Sequence, residues 1–401
     1  SIWLEREEIL VPKFFDDWRK NCAYYTESHE AWADTVRRFV NQEIRPHIDQ
    51  WEADGMLPRE LFQKAADIGI LGLGFPEEYG GISEGIDKFH ANITGAELAA
   101  AGAGGLHAGL LVFTVGLGAI LAMGSEAMKR RIAPEVLSGR KLLSLAVTEP
   151  SGGSDVAALQ TVAERHGDVY RVRGSKTLIT GGTRADYFVT AVRTGGPGHG
   201  GISLMLIERD FKGVSSTKLE KMGWHCSDTA TVYFDDVEVP AENLIGQEGK
   251  AFVGLMRNFN AERIGIATTS NAFSMVCLED ALDWAQQRQT FGKSLVQHQV
   301  IRQKLSSMTQ RIYSTQAWAD RCTIALQNGQ DDAGEIALLK VHATQAFEFV
   351  AREACQILGG ASYVRGSRVE RIYREVRPNA IAGGSEEIML DLAARQLGYL
   401  G

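Results

Sequence analysis

Three regimes of hydrophobic spacing follow one another along the chain. Over residues 1–143 apolar positions recur at helical spacing: Trp32, Val36, Phe39, Val40 and Ile44 share one side of a segment from His29 to Asp49, where Pro46 demands a kink or a turn. A second helix is predicted over 58–68 with Pro58 in its first turn, and the glycine-rich run 69–81 reads as a loop with a buried lining. Its glycines do not follow GxGxxG and no strand-turn-helix pattern surrounds them, which argues against a dinucleotide-binding unit. The period changes between Leu142 and Gly246. Segments 143–148, 169–173, 177–180, 187–192, 202–207 and 229–234 are short, β-branched and separated by turn residues, predicting an antiparallel β domain. From Lys250 onward helical spacing returns, with long segments over 251–288, 298–328, 333–358 and 385–397. The expected architecture is mainly α with a central antiparallel β domain, divided at 1–143, 144–246 and 247–401.

Composition narrows the class. With 401 residues, 44% hydrophobic and 23% charged, the chain can bury a large core. A net charge of -8 without a basic run excludes nucleic acid as an expected partner, so an anionic ligand must be met by local groups. No uninterrupted apolar run is long enough for a membrane span; 99–123 comes closest, but six glycines and His107 interrupt it, and it is expected to be a buried helix. Five cysteines lack CxxC or CxxH spacing, which disfavours a zinc site or a disulfide framework and suggests a reducing compartment; no metal is expected. Residues 1–8 lack a signal or transit pattern, although a processed end would look the same.

Three stretches carry candidate chemistry. The first runs from Arg257 to Gly292. Phe259, Glu262 and Ile266 recur at helical spacing, setting a carboxylate in an apolar helix face where a charge is costly. At its far end Arg288, Thr290, Phe291 and Gly292 offer a guanidinium, a hydroxyl, an aromatic plane and close backbone approach, a set suited to a phosphate-bearing cofactor. The second, Leu145 to Asp155, ends a strand in Thr148, then supplies Pro150, Gly152, Gly153 and Ser154 for a tight loop. The third is Gln356-Ile-Leu-Gly359-Gly360, followed after a helix by Gly383-Gly384-Ser385 at the start of the last helix. Each stretch also has a plain reading: an acid paired with Arg263, a helix end, a β-turn, a helix cap.

Taken in order, these segments resemble the acyl-CoA dehydrogenase family over nearly the whole chain from about residue 30: Phe75 to Gly81, Gly124 to Glu126, Thr148 to Asp155, Lys176 to Thr180, Val237 to Pro240, Arg288 to Gly292 and Gln356 to Gly360. The resemblance implies an N-terminal α-helical domain, a middle β domain, a C-terminal four-helix bundle, tightly bound FAD and a homotetramer built as a dimer of dimers. It implies α,β-dehydrogenation of an acyl-CoA thioester, of medium, long or branched chain, to the trans-2-enoyl-CoA: a carboxylate removes the α-proton while a β-hydride passes to flavin N5, and electrons pass on to an electron-transfer flavoprotein. This is fatty-acid metabolism of the β-oxidation type, placed in the cytoplasm if the source is bacterial and in the mitochondrial matrix if it is eukaryotic and the chain is processed.

The family pattern is not followed everywhere. Many members carry the base in the loop before the last helix, where this chain has Gly383. In a minority resembling isovaleryl-CoA and long-chain acyl-CoA dehydrogenases the base belongs to a Glu-Arg pair on the first long C-terminal helix, matched here by Glu262-Arg263. The resemblance thus makes Glu262 the base and leaves Gly383 its backbone N–H as donor to the thioester oxygen. Losing the loop side chain is also expected to leave space near the substrate Cα for a branched or bulky acyl group. By the same carry-over Thr148 and Thr180 meet the isoalloxazine edge, Leu178 stands where many members place an aromatic on the flavin, and Ser154 lies near flavin and the CoA chain. Arg288, Thr290, Phe291, Gln356 and Gly360 match FAD-binding positions, some serving the neighbouring subunit; Ser385 and Glu387 match the loop over the adenosine half. Phe259, Asn260, Arg263 and Gly384 fall at substrate-binding positions, Asn260 where aspartate is frequent. An acyl-CoA oxidase and a non-catalytic acyl-CoA-binding flavoprotein remain open as alternatives.

Overall fold

Proline sets the first departure from simple periodicity. The N-terminal amphipathic segment folds as a helix over Glu27–Phe39 and then widens into a π turn over Val40–Ile44, in which the Arg45 N–H reaches the Val40 carbonyl at 2.9 Å. Pro46 has no N–H to give and its ring crowds the preceding turn, so the helix stops and restarts as Ile48–Asp54. The computed structural model describes residues 13–399, without the side chains of residues 13, 14, 252, 253 and 255–258. The reading of residues 1–8 therefore lies outside the described residues, as does the Arg257 side chain.

The chain divides into two compact units, one of Ser1–Gln50, Asp87–Gly104 and Asn260–Gly401, the other of Trp51–Ile86 and Gly105–Phe259. The first is helical. Ala251–Gln287, in this unit from Asn260 onward, Gln299–Gln327, Ala333–Leu358 and Glu386–Gln396 follow the expected segments closely, and the helix expected without bounds before the Gly383 loop is Arg368–Ile381. Their starts are fixed by local chemistry: the Asp332 side chain accepts the Glu335 N–H at 2.9 Å, and Ser367 accepts that of Glu370 at 3.1 Å. Phe273, Val276, Met308, Ile312, Phe347, Val350 and Ile372 form the core that these helices share.

The second unit holds the sheet, with β1 (Leu143–Ala146), β2 (Val162–His166), β3 (Val169–Thr180), β4 (Tyr187–Arg193), β5 (Ile202–Glu208), β6 (Val214–Lys218), β7 (Thr229–Pro240) and β8 (Leu244–Ile245). The order is β6-β7-β3-β2-β4-β5-β8, with β1 also on β4. Most pairs are antiparallel as expected, but β1 and β2 each pair with β4 in parallel, so the sheet is mixed. The two expected strands 169–173 and 177–180 are one, interrupted by irregularities at Val172/Gly174 and Lys176/Ile179. Strands β2 and β6, Val-Ala-Glu-Arg-His and Val-Ser-Ser-Thr-Lys, are too polar to announce themselves by alternation.

The apolar stretch 99–123 is largely the buried helical segment expected of it, with only Thr114 and Ala122 exposed. Gly104–Leu111 and Phe113–Met123 form one helical run, the one run among the described residues long and apolar enough to cross a membrane by length and composition. One face packs tightly within the unit: a Cβ at Gly105 would lie 2.8 Å from Cys226 Sγ, at Gly109 2.9 Å from Leu57, and at Gly116 2.5 Å from Leu143. The glycines that interrupt the run are thus its packing surface.

Candidate active site

Around Glu262 the long helix changes character. Asn260, Arg263 and Ile264 are buried, whereas Glu262, Gly265 and Ile266 remain partly accessible, forming a narrow open strip on an otherwise packed helix. The Glu262 Oε2 is buried without a hydrogen-bond partner. Burial pushes its carboxyl up to about 7, against the pull of the Arg263 and Lys340 charges. A carboxylate so placed is a far stronger base than a solvated one, yet still ionises near neutral pH.

The loop before the last helix is held by cations. Arg368–Ile381 ends where the Ala382 N–H returns to the Pro378 carbonyl at 2.8 Å, and the chain then takes φ of +69° at Gly383 and +113° at Gly384, a course that favours glycine at both positions. Arg263 Nε donates to the Gly383 carbonyl at 3.0 Å and its Nη1 to Asn260 Oδ1 at 2.8 Å, while Asn260 Nδ2 donates to Asp331 Oδ1 at 2.8 Å. Asn260 is therefore engaged at both ends of its amide. The space expected at Gly383 is not empty: a Cβ there would lie 2.8 Å from Ile266 Cδ1. Ile266, one turn beyond Glu262, fills the volume that the missing loop side chain leaves.

In the sheet unit the Thr148 carbonyl accepts the Thr177 N–H at 2.8 Å, which ties the Thr148–Asp155 loop to β3. Beneath it Glu149 accepts the Gln160 and Thr161 N–H groups at 2.6 and 2.8 Å and the Lys176 ammonium at 2.8 Å. Burial would raise the Glu149 carboxyl, but these donors outweigh it and hold it below its ordinary value; burial pushes Lys176 down to about 8. At the bulge Leu178 adopts φ of +58° and is 60% exposed, next to Thr180, whose carbonyl accepts the Ser144 hydroxyl at 2.7 Å. Gly152, Gly153 and Ser154 are exposed.

Arg288, Thr290 and Phe291 occupy a structure of their own. Thr290 pairs with Lys293 across a two-residue hairpin in which Phe291 has φ of +49° and Gly292 +76°, the signature of a type I′ turn. An aromatic residue in the left-handed region is strained, and Phe291 is held there with 96% of its surface exposed. Gln356 and Gly360 lie exposed at and just beyond the end of Ala333–Leu358, where Gly359 turns the chain with φ of +60°. Ser385 caps the last helix, and the Glu387 backbone N–H with the Ser385 hydroxyl holds the Glu387 carboxyl below its ordinary value.

Asn260, Arg263 and Gly383 are thus joined by direct hydrogen bonds beside Glu262, while Phe259 is half-buried one turn before it. Among the described residues one group has metal-ligand spacing, His29, Asp87 and His90. It serves helix capping: His29 Nδ1 accepts the Thr26 N–H at 2.9 Å, which leaves the proton on Nε2 facing Asp87, and Asp87 accepts the Phe89 and His90 N–H groups.

Three family models cover most of the chain: the acyl-CoA dehydrogenase N-terminal domain over 26–140, the middle domain over 144–237 and the C-terminal domain over 252–398. The chain belongs to the acyl-CoA dehydrogenase family. It is 38% identical to the acyl-CoA dehydrogenase AFT10-1 of Alternaria alternata, over 93% of this chain and 92% of that protein. To the mitochondrial long-chain specific acyl-CoA dehydrogenase of Mus musculus it is 32% identical, over 93% and 87%. A solved structure of a probable acyl-CoA dehydrogenase from Mycobacterium abscessus superposes with a TM-score of 0.92 at 42% identity, covering 94% of this chain and all of that one. This acyl-CoA dehydrogenase is an enzyme of FAD-dependent acyl-CoA dehydrogenation at the level of its family.

Two residues of the candidate site carry no motif of their own in the sequence. Lys340 is fully buried and hydrogen-bonded to the Gly383 loop, and Asp331 anchors Asn260. The signal for Lys340 was a lysine between Leu339 and Val341, three residues after Ala337 and four after Ile336, in a helix face whose other members are apolar.

Proposed function

We propose that Glu262 is the base that removes the α-proton of an acyl-CoA thioester. The observation that carries this is the orphaned Oε2 on the open strip of the long helix, with burial raising the carboxyl to about 7. In the loop that elsewhere supplies the base, this chain has a glycine whose left-handed conformation a side chain would strain. Gly383 keeps its N–H, and the Gly383 and Gly384 peptides are oriented by the cations on their carbonyls, so the loop retains backbone donors for a developing enolate oxygen. Arg263 holds the loop against the helix that carries the base and, bonded to Gly383 and Asn260, remains a positive charge beside the carboxylate.

The residues present fit FAD. In the sheet unit Leu178 is an apolar side chain pushed outward by left-handed backbone, Thr148 and Thr180 add hydroxyls, and Gly152 leaves open approach; in the helical unit, taken by itself, Phe291 is likewise pushed outward, Thr290 adds a hydroxyl, Arg288 an exposed guanidinium and Gly360 open approach, no atom lying within 4 Å of a Cβ added at either glycine. Ser154, Gln356, Ser385 and Glu387 complete the proposed set for cofactor and substrate. Bound FAD supplies the acceptor for the β-hydrogen with its electron pair, so that loss of H⁺ to Glu262 and of hydride balances formation of the Cα–Cβ double bond. An electron-transfer flavoprotein as onward acceptor and a homotetramer complete the reading, both supported by family membership.

Anaerobic mixing of the FAD-loaded protein with straight and branched acyl-CoAs tests the reading. Bleaching of oxidised-flavin absorbance by at least one chain type is expected. No bleaching by any, with FAD bound, would overturn it in favour of an acyl-CoA-binding flavoprotein.

A further inference from the structure

Lys340 is a fully buried lysine in the middle of Ala333–Leu358, and its ammonium donates to the Ala380 carbonyl at 2.9 Å and the Gly384 carbonyl at 2.8 Å. The first of these is one of the end carbonyls of Arg368–Ile381, where a helix dipole favours a cation; the second lies immediately before the N-cap of the last helix. Arg263 takes the intervening Gly383 carbonyl at 3.0 Å. The 380–384 segment is therefore pinned by two cations through three carbonyls. Because each peptide is planar and trans, fixing the carbonyls of Gly383 and Gly384 also fixes the direction of the N–H groups of residues 384 and 385. Both glycines are left-handed, and the helix behind them closes with the Ala382 N–H on the Pro378 carbonyl at 2.8 Å.

We propose that Lys340 is a positioning residue of the dehydrogenation, a buried ammonium that clamps the Gly383 loop through the Ala380 and Gly384 carbonyls. The inference rests on Glu262 being the base. The charged groups that face the ammonium are Glu262 and Arg263 on the long helix and Glu386 and Glu387 on the last helix, the former of these two hydrogen-bonded to Gln345 at 3.0 Å. Burial, first, and Arg263 weaken the ammonium to about 8 while the three carboxylates oppose them; reciprocally, Lys340 and Arg263 pull Glu262 down from where burial alone would leave it. Glu262 must lose its proton and Lys340 must keep its own, so kcat/KM rises through about 7 and falls through about 8. As the two groups interact, the limbs belong to the pair.

The test compares FAD-loaded wild type, Lys340→Met, Lys340→Gln and Lys340→Arg. Lys340→Met is expected to shift the acid limb upward and lower kcat/KM at pH 7 by about fivefold, the change in the ionised fraction when a base titrating at about 7 rises by about one unit. Lys340→Gln keeps a donor for one carbonyl but no charge, so it shows the same shifted limb with less loop disorder. Lys340→Arg, always charged, is expected to lose the high-pH limb. Hydrogen exchange of the 379–387 peptide, which does not depend on turnover, should rise in Lys340→Met. An acid limb unmoved in Lys340→Met, or a high-pH limb retained in Lys340→Arg, would overturn the proposal. If Lys340→Met does not accumulate folded, the high-pH limb of Lys340→Arg decides alone. Failure of wild type to bleach with any acyl-CoA would instead remove the dehydrogenation reading, and the exchange measurement would still report the clamp.

Discussion

Ile266 Cδ1 stands 2.8 Å from the point that a Cβ on Gly383 would occupy, and Gly383 itself has φ of +69°. The helix that carries Glu262 also fills the place of the loop side chain, so the absence of that side chain does not enlarge the space there. Gly383→Ala is expected to lower kcat through strain of about 1 kcal/mol and displacement of Ile266. Ile266→Ala in the same chain should recover part of the loss. Steady-state kinetics of both variants check this, and a Gly383→Ala enzyme with unchanged kcat would show the loop to be pliable.

Ile266→Ala alone removes the filler. The volume released lies beside Glu262 and Gly383, so the ratio of kcat/KM for an α-branched over a straight acyl-CoA should rise, by about 10-fold or somewhat more for the methylenes removed. An unchanged ratio would mean that Ile266 does not bound the acyl group.

The raised carboxyl of Glu262 carries a stability consequence as well as a rate consequence. A carboxyl whose folded value of about 7 lies above its ordinary 4.5 is disfavoured as the charged form in the fold; stability from it is complete below the unfolded value and is lost as pH rises through the folded one. Glu262→Gln should therefore melt higher than wild type at pH 8 and level with it at pH 4. Equal melting temperatures at pH 8 would place the carboxylate in a better-solvated setting.

Phe291, placed by the proposal in the cofactor site, should set stability against cofactor retention. Its left-handed φ of +49° stores strain that Phe291→Gly would release, raising the melting temperature of the apo-protein, while loss of the exposed ring should weaken FAD binding. Melting of the apo form and FAD titration read the two effects separately. Unchanged FAD affinity would take the ring out of the cofactor site.

Under the Thr148 loop, Lys176→Met would strand the buried Glu149 carboxylate, a loss of about 3–5 kcal/mol for breaking a buried pair. Adding Glu149→Gln should restore much of the melting temperature, because the amide needs no counter-charge. A double variant as unstable as the single one would assign the loss to packing of the lysine stem.

Much of this was legible because it rests on spacing. The long C-terminal helices have uninterrupted periodicity, and Glu262 betrayed itself by standing in an apolar face. What was not legible depends on neighbours distant in sequence. Strand β6, Val-Ser-Ser-Thr-Lys, is a strand because β7 lies beside it, and the parallel pairing of β1 with β4 is set by which strands the chain brings together. The π turn before Pro46 is a local accommodation of a proline that periodicity could only mark as a break. The role of Ile266 was hidden for another reason: its partner, Gly383, is 117 residues away and has no side chain to suggest a contact. Phe291 looked like an aromatic at a helix end, and only the hairpin register shows that it pays for its exposure with strain.

The central claim is that Glu262 takes the α-proton, and the most direct measurement is anaerobic rapid-mixing reduction of bound flavin by a reactive acyl-CoA in wild type and Glu262→Gln. With FAD content and acyl-CoA binding matched, the account expects the variant to reduce flavin about 10²–10⁴-fold more slowly. Reduction at the wild-type rate would contradict it and move the search for the base to Glu386 and Glu387.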